Sequence, residues 1–167
     1  VIMETMKILV TGGSAFIGST ISDSLSTKYK VISPTSQQLN LLNASDVKDY
    51  LNKNSFDIVI HSANHLVHPL LKESKEPSIQ LVNNLKMFFN IAINKNLFGK
   101  MIYFGSGAEF GRENWKSKMK ESYFGNHYPT DQYGLSKYFM NIHTRLSKNI
   151  YNLRLFGMYG KKDDWRF

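Results

Sequence analysis

The chain has 167 residues, 42% hydrophobic, 13% aromatic and 20% charged, with 21 Lys plus Arg against 13 Asp plus Glu and no Cys. That length corresponds to one domain on the usual scale of roughly 100–200 residues, and hides roughly 70% of its unfolded surface on folding. The 11 Phe, 9 Tyr and 2 Trp exclude a disordered chain, and the lack of Cys excludes a disulfide scaffold and Cys-ligated zinc. No apolar run approaches the ~20 residues of a membrane helix, and Val1 to Met6 lack a signal-peptide layout. The expectation is a cytoplasmic protein with no membrane partner. The formal charge of +8 is uneven: residues 1–83 carry 7 basic and 7 acidic side chains, residues 84–167 carry 14 and 6. Its densest piece, Trp115-Lys116-Ser117-Lys118-Met119-Lys120, shows no helical stripe. It reads as a solvated loop rather than a nucleic-acid patch.

In chain order, residues 7–11 (KILVT) form a short apolar run stopped by Gly12-Gly13, which predicts a strand buried on both faces. Phe16, Ile17, Ile21 and Leu25 then recur at helical spacing over 16–28. Val31-Ile32 is a second short strand, and 44–53 a helix with Asn43 or Ser45 as cap. FDIVIH at 56–61 predicts a third strand, the apolar stripe over 77–94 a helix, and MIYF at 101–104 a fourth strand. After an irregular stretch over 112–131, a helix over 133–146 and a strand over 151–156 complete the series. Strands alternating with helices predict an α/β fold, a doubly wound parallel sheet with helices on both faces and a ligand site at the carboxyl ends of its strands. The Phe88-Phe89 pair and the Met residues read as core.

Between the first strand and first helix lies TGGSAFIG at 11–18. Small residues there let the backbone turn tightly and approach a pyrophosphate, whose charge the helix N-terminus meets. The spacing selects Gly12, Ala15 and Gly18, with Ala15 where a middle Gly is usual. The end of the second strand usually carries an acid for a ribose 2′-hydroxyl or a base for a 2′-phosphate. Ser33-Pro34-Thr35-Ser36-Gln37-Gln38 supplies neither, so NAD and NADP both stay open.

Tyr133 and Lys137 in YGLSK stand four residues apart, on one face of the predicted helix. A phenol is a poor base at neutral pH, but a nearby ammonium favours its ionised form, and such a pair can exchange a proton with a hydroxyl or carbonyl. Ser106, just past the fourth strand, comes from a neighbouring carboxyl end and could bond the same substrate oxygen. His61, His65 and His68 lie close in sequence without an acidic ligand beside them, so hydrogen-bonded or solvated roles are favoured over metal ligation.

With TGGSAFIG, the Asn84-containing helix, FGSGAEFG at 104–111, YGLSK at 133–137 and LRLFGMYG at 153–160, the chain resembles the short-chain dehydrogenase/reductase superfamily. Within it, the sequence is similar to the extended, nucleotide-sugar epimerase/dehydratase family. The resemblance implies a Rossmann fold with NAD or NADP at Gly12, Ser14, Ala15, Phe16, Ile17, Gly18 and Ala63, with Asn84 supporting the site. It implies Tyr133 as acid/base, Lys137 on the nicotinamide ribose, and Ser106 orienting the C4 oxygen of a nucleotide-linked sugar. A homodimer is a further expectation of the family.

Departures narrow the expected chemistry. The 4,6-dehydratases have acids at the two positions after the active-site Ser/Thr, where this chain has Gly107 and Ala108; the fucose-synthase type has a Cys in place of Ala108. What remains is 4-keto reduction or C4 epimerisation, with 38–43 (QLNLLN) resembling the keto-sugar reductase branch. Gly157 replaces an Asn common among the family's sugar-nucleotide contacts. The expected organisation is a single NAD(P)-binding domain over 1–167, with the family's C-terminal substrate portion largely missing. The alternative reading is therefore a dinucleotide-binding fragment without turnover.

Overall fold

The computed structural model describes residues 5–67 and 76–163, so His68 lies outside the described residues. Five strands, β1 (Lys7–Thr11), β2 (Lys30–Ile32), β3 (Phe56–His61), β4 (Phe98–Ser106) and β5 (Ile150–Leu155), form one sheet in the order β2-β1-β3-β4-β5. Every neighbouring pair is parallel. Helices α1 (Phe16–Ser26), α2 (Ala44–Asn54), α3 (Gln80–Ala92) and α4 (Gln132–Arg145) fill the crossovers. Among the described residues, no helix is long and apolar enough to cross a membrane.

Side-chain alternation along β1 sorts the core into two layers. Ile8 and Val10 point to α1, packing with Ile60, Ile21 and Leu25, while Leu9 points to the other face. There Val47 and Leu51 of α2, Phe88 and Ile91 of α3 and Met140 of α4 close over Val59, Met101 and Tyr103. Phe88, fully buried, meets Tyr103 edge to face at 5.0 Å between ring centroids, a geometry that adds to the area it buries.

Local chemistry sets most boundaries. Asn43 rather than Ser45 caps α2, its side-chain oxygen accepting from the backbone N–H of Ser45 and Asp46. The expected 77–94 helix divides at Ile79 into a 3-10 turn, Pro77–Ile79, and α3. The fourth strand is longer than MIYF, because β4 gains partners on both sides, running beside β3 from Phe98 and beside β5 to Ser106. The Lys-rich segment is exposed apart from half-buried Met119. The methionines divide: Met87, Met101 and Met140 are core, but Met6 and Met158 are exposed, the latter at the mouth of the site. Among the described residues no strand pairs with the outer edge of β5, where Tyr151 and Leu153 are about half exposed.

Candidate functional site

The parallel topology brings the ends of β1, β3, β4 and β5 to one edge, and an open cleft of about 260 Å³ lies there. Ile17, His61, Ser106, Tyr133 and Lys137 line it, together with Asn64 and Phe156. Ser106, Tyr133 and Lys137 are thus brought together from β4 and α4. Asp131 starts α4 by accepting the Gly134 N–H at 2.8 Å, which fixes the helix that presents the other two. Gly134 has no space for a side chain, since an added Cβ would sit 2.8 Å from the Ala108 carbonyl oxygen.

Lys137 is buried, and its Nζ donates to the Phe104 carbonyl oxygen at 2.8 Å. Burial brings its pKa down to about 8, with the carboxylate of Glu109 pulling the other way. Nζ lies 5.7 Å from the centre of the Tyr133 ring. The phenol is nevertheless held above its ordinary pKa, because burial outweighs the opposing effects of the Ser106 hydroxyl and the Arg112 guanidinium. The expected easing of ionisation is therefore not the dominant effect: at neutral pH Tyr133 keeps its proton and can donate it.

His61, in the cleft lining, is buried, its Nδ1 2.8 Å from Thr11 Oγ1. Burial, reinforced by the Lys137 charge, lowers its pKa from 6.5 to about 3. Between those values the unfolded chain binds a proton that the folded one refuses, so His61 makes stability fall as pH drops from 6.5 toward 3, by up to ~1.4 kcal/mol per pH unit. Glu109, whose folded pKa is raised, works in the opposite sense above 4.5. Urea titrations of wild type and His61→Gln over this range isolate the histidine: the variant is expected to lose stability less steeply on acidification, and parallel curves would refute the assignment. His65 is also buried and hydrogen-bonded, its Nε2 3.0 Å from the Glu76 carbonyl oxygen.

At the start of α1, Gly12 has φ +73° and lies against the β3–α3 connection, an added Cβ falling 2.6 Å from the Ala63 nitrogen. Gly18 packs back on the turn, where a Cβ would overlap the Gly12 carbonyl oxygen. Among the described residues no side chain caps α1, and its first turn holds no acid, so its N-terminus suits an anion. Ser14 and Ala15 are exposed, and Phe16 and Ile17 half-buried. These features fit a dinucleotide pyrophosphate. Gly12→Ala is expected to cost about 1–3 kcal/mol from backbone strain alone, read as a lower urea midpoint, with an unchanged midpoint as the contrary result.

Asn84 does not line the cleft. It is buried in α3, where its Oδ1 accepts the His65 backbone N–H at 2.7 Å and so ties down the loop after β3, while its Nδ2 has no partner among the described residues. Asn64, whose Oδ1 is likewise buried without a partner among the described residues, belongs to the cleft lining. The sequence reading missed Asn64 and, more importantly, Glu109 with Arg154. The signal for Glu109 was present: Ser106-Gly107-Ala108-Glu109 has capping-box spacing, and both halves of the box are formed. Among the described residues no cluster of His, Asp or Glu is disposed to hold a metal.

A family model for the NAD dependent epimerase/dehydratase family matches residues 8–166. The chain belongs to this family. The chain is 30% identical to a GDP-L-colitose synthase of Yersinia pseudotuberculosis, over 65% of this chain and 36% of that protein. It is 28% identical to a putative UDP-glucose 4-epimerase of Methanocaldococcus jannaschii, over 94% of this chain and 57% of that one. Among solved structures, a GDP-mannoheptose C4 reductase from Campylobacter jejuni with NADP bound superposes with a TM-score of 0.83 at 21% identity, over 98% of this chain and 55% of the other. The chain thus spans little more than half, or less, of the length of these epimerase/dehydratase relatives.

Proposed function

We propose that the chain is the NAD(P)-binding, proton-transferring part of a nucleotide-sugar oxidoreductase, acting by reduction of a 4-keto sugar or by C4 epimerisation. The observation that carries this reading is the convergence of Ser106, Tyr133 and Lys137 on one cleft, beside a glycine turn and an uncapped helix that suit a pyrophosphate. The relatives named as nucleotide-sugar synthase, epimerase and reductase support the substrate class. The nicotinamide would supply or accept a hydride at the sugar carbinol carbon.

The chain's own groups handle the proton. Ser106 Oγ accepts the Ala108 N–H at 3.2 Å, and its hydroxyl is hydrogen-bonded with that of Tyr133, so the two hydroxyls stand together to meet one substrate oxygen. Tyr133, protonated at neutral pH, donates to the oxygen that gains charge as a carbonyl is reduced. The buried Lys137 ammonium lowers the cost of the phenolate left behind and, in this reading, reaches the nicotinamide ribose. Gly12, Ser14, Ala15, Phe16, Ile17, Gly18 and Ala63 would border the dinucleotide, with Asn84 bracing the neighbouring loop.

Titration of the chain with NADPH and NADH, followed by nicotinamide fluorescence, tests the binding half. Saturable enhancement with either is expected, and a flat response to both defeats the proposal. Consumption of NADPH on adding dTDP-, GDP- or UDP-linked 4-keto sugars tests turnover. The span of about half the length of its relatives favours one second reading, a cofactor-binding fragment without turnover: it predicts NADPH binding and no consumption.

A further inference from the structure

We propose that Glu109 is the positioning residue of the candidate site: its carboxylate fixes the main chain carrying Ser106 and provides the buried negative charge that acts on Lys137 and Tyr133. This rests on the reading of Ser106, Tyr133 and Lys137 as the reacting set. Glu109 is fully buried, and hydrogen bonds from three separate elements converge on its two oxygens. Oε1 accepts the Ser106 N–H at 3.0 Å and Asn152 Nδ2 of β5 at 3.1 Å. Oε2 accepts Asn141 Nδ2 of α4 at 2.8 Å and Arg154 Nε of β5 at 3.0 Å. The chain is built around this group: a Cβ on Gly105 would overlap Glu109 Oε1 and Asn152 Oδ1. Arg154 also pairs with Glu121, tying the loop over 112–131 to the same anchor.

A buried ion pair is a weak device for stability, since apolar residues of similar volume do as well or better. Its location supplies another reason. Glu109 sits in the 3-10 turn Gly107–Phe110 that follows Ser106 directly, and its Asn141 partner lies one helical turn beyond Lys137. The groups that face Lys137 are Glu109, His61 from β3, and the rings of Tyr103 and Tyr133. Those that face Tyr133 are Ser106, Arg112, Glu109 and Asp131. Of these, the Glu109 charge raises both Lys137 and Tyr133. Its loss therefore moves both to lower pH, a joint shift that mere loosening of Ser106 does not produce.

The test is the titration of Lys137 in the full chain labelled with 13Cε-lysine, its signal assigned with Lys137→Arg. The wild-type midpoint is expected near 8, and in Glu109→Gln lower by about 0.5 unit or more, with Glu109→Asp nearer wild type. An unchanged midpoint in folded Glu109→Gln overturns the proposal. Should that variant fail to fold, the wild-type chain decides. The Ser106 amide proton must then move with the Glu109 carboxyl carbon as pH is lowered, and an amide indifferent to that titration overturns the proposal. No turnover is needed, so a chain that neither binds NADPH nor consumes it defeats the proposed function while the Lys137 titration still judges Glu109. Where turnover is present, both limbs of the kcat profile of Glu109→Gln are expected at lower pH.

Discussion

Tyr133→Phe is expected to lower the turnover of a nucleotide-linked 4-keto sugar by about 10²–10⁴-fold, the usual contribution of a positioned acid or base. The substitution keeps the ring, so its packing beneath the Arg112 guanidinium, 5.6 Å from the ring centre, and beside Lys137 is retained. Only the hydroxyl is removed, and with it the proton and the Ser106 hydrogen bond. NADPH affinity, measured by nicotinamide fluorescence, is therefore expected to change little, separating proton transfer from binding. Because the phenol is held protonated by burial, the loss should be as large at pH 6 as at pH 8. A variant with near wild-type kcat would remove Tyr133 from the reaction, and one that lost NADPH binding in proportion would make it a binding residue.

Arg154→Ala is expected to destabilise the fold by about 3–5 kcal/mol, the cost of leaving a buried charge without its partner. The Arg154 side chain is 7% exposed and that of Glu109 is 0% exposed, so water cannot replace the lost ion pair. The guanidinium also packs over the Phe110 ring, 4.7 Å from its centre, and part of the loss comes from that stem and face. Urea denaturation measures the effect. The double variant Glu109→Gln with Arg154→Leu should recover part of the stability, because no charge then remains stranded and an amide oxygen still accepts the Ser106 N–H. Equal losses in the single and double variants would show that packing, not the unpaired carboxylate, dominates.

The sheet was legible in the sequence because parallel strands buried on both faces leave uninterrupted apolar runs: KILVT and FDIVIH have the bounds expected of them. β4 was read too short because Phe98 to Lys100 contains Gly99 and a charged residue, and their pairing with β3 is a property of the sheet, not of the segment. Ser106, Tyr133 and Lys137 were legible through spacing within short motifs. Their electrostatics were not. The lysine four residues from Tyr133 suggested a phenol made easier to ionise, whereas the folded surroundings supply a desolvation larger than the favourable charges. Glu109 and Arg154 were missed for a related reason. They are 45 residues apart, and only the parallel pairing of β4 with β5 brings Ser106 level with Leu155 and so sets Arg154 against the turn.

The outer margin of β5 has a consequence for the chain in solution. Its backbone donors and acceptors, which no strand pairs among the described residues, run beside the half-exposed side chains of Tyr151 and Leu153, a template on which another extended segment can add as a sixth strand. Whatever polypeptide occupies that margin extends the hydrogen-bond ladder and shields the apolar face together. At high concentration such a margin is a place where strands from other copies can add. A charge placed at Leu153, which does not line the cleft, opposes such growth.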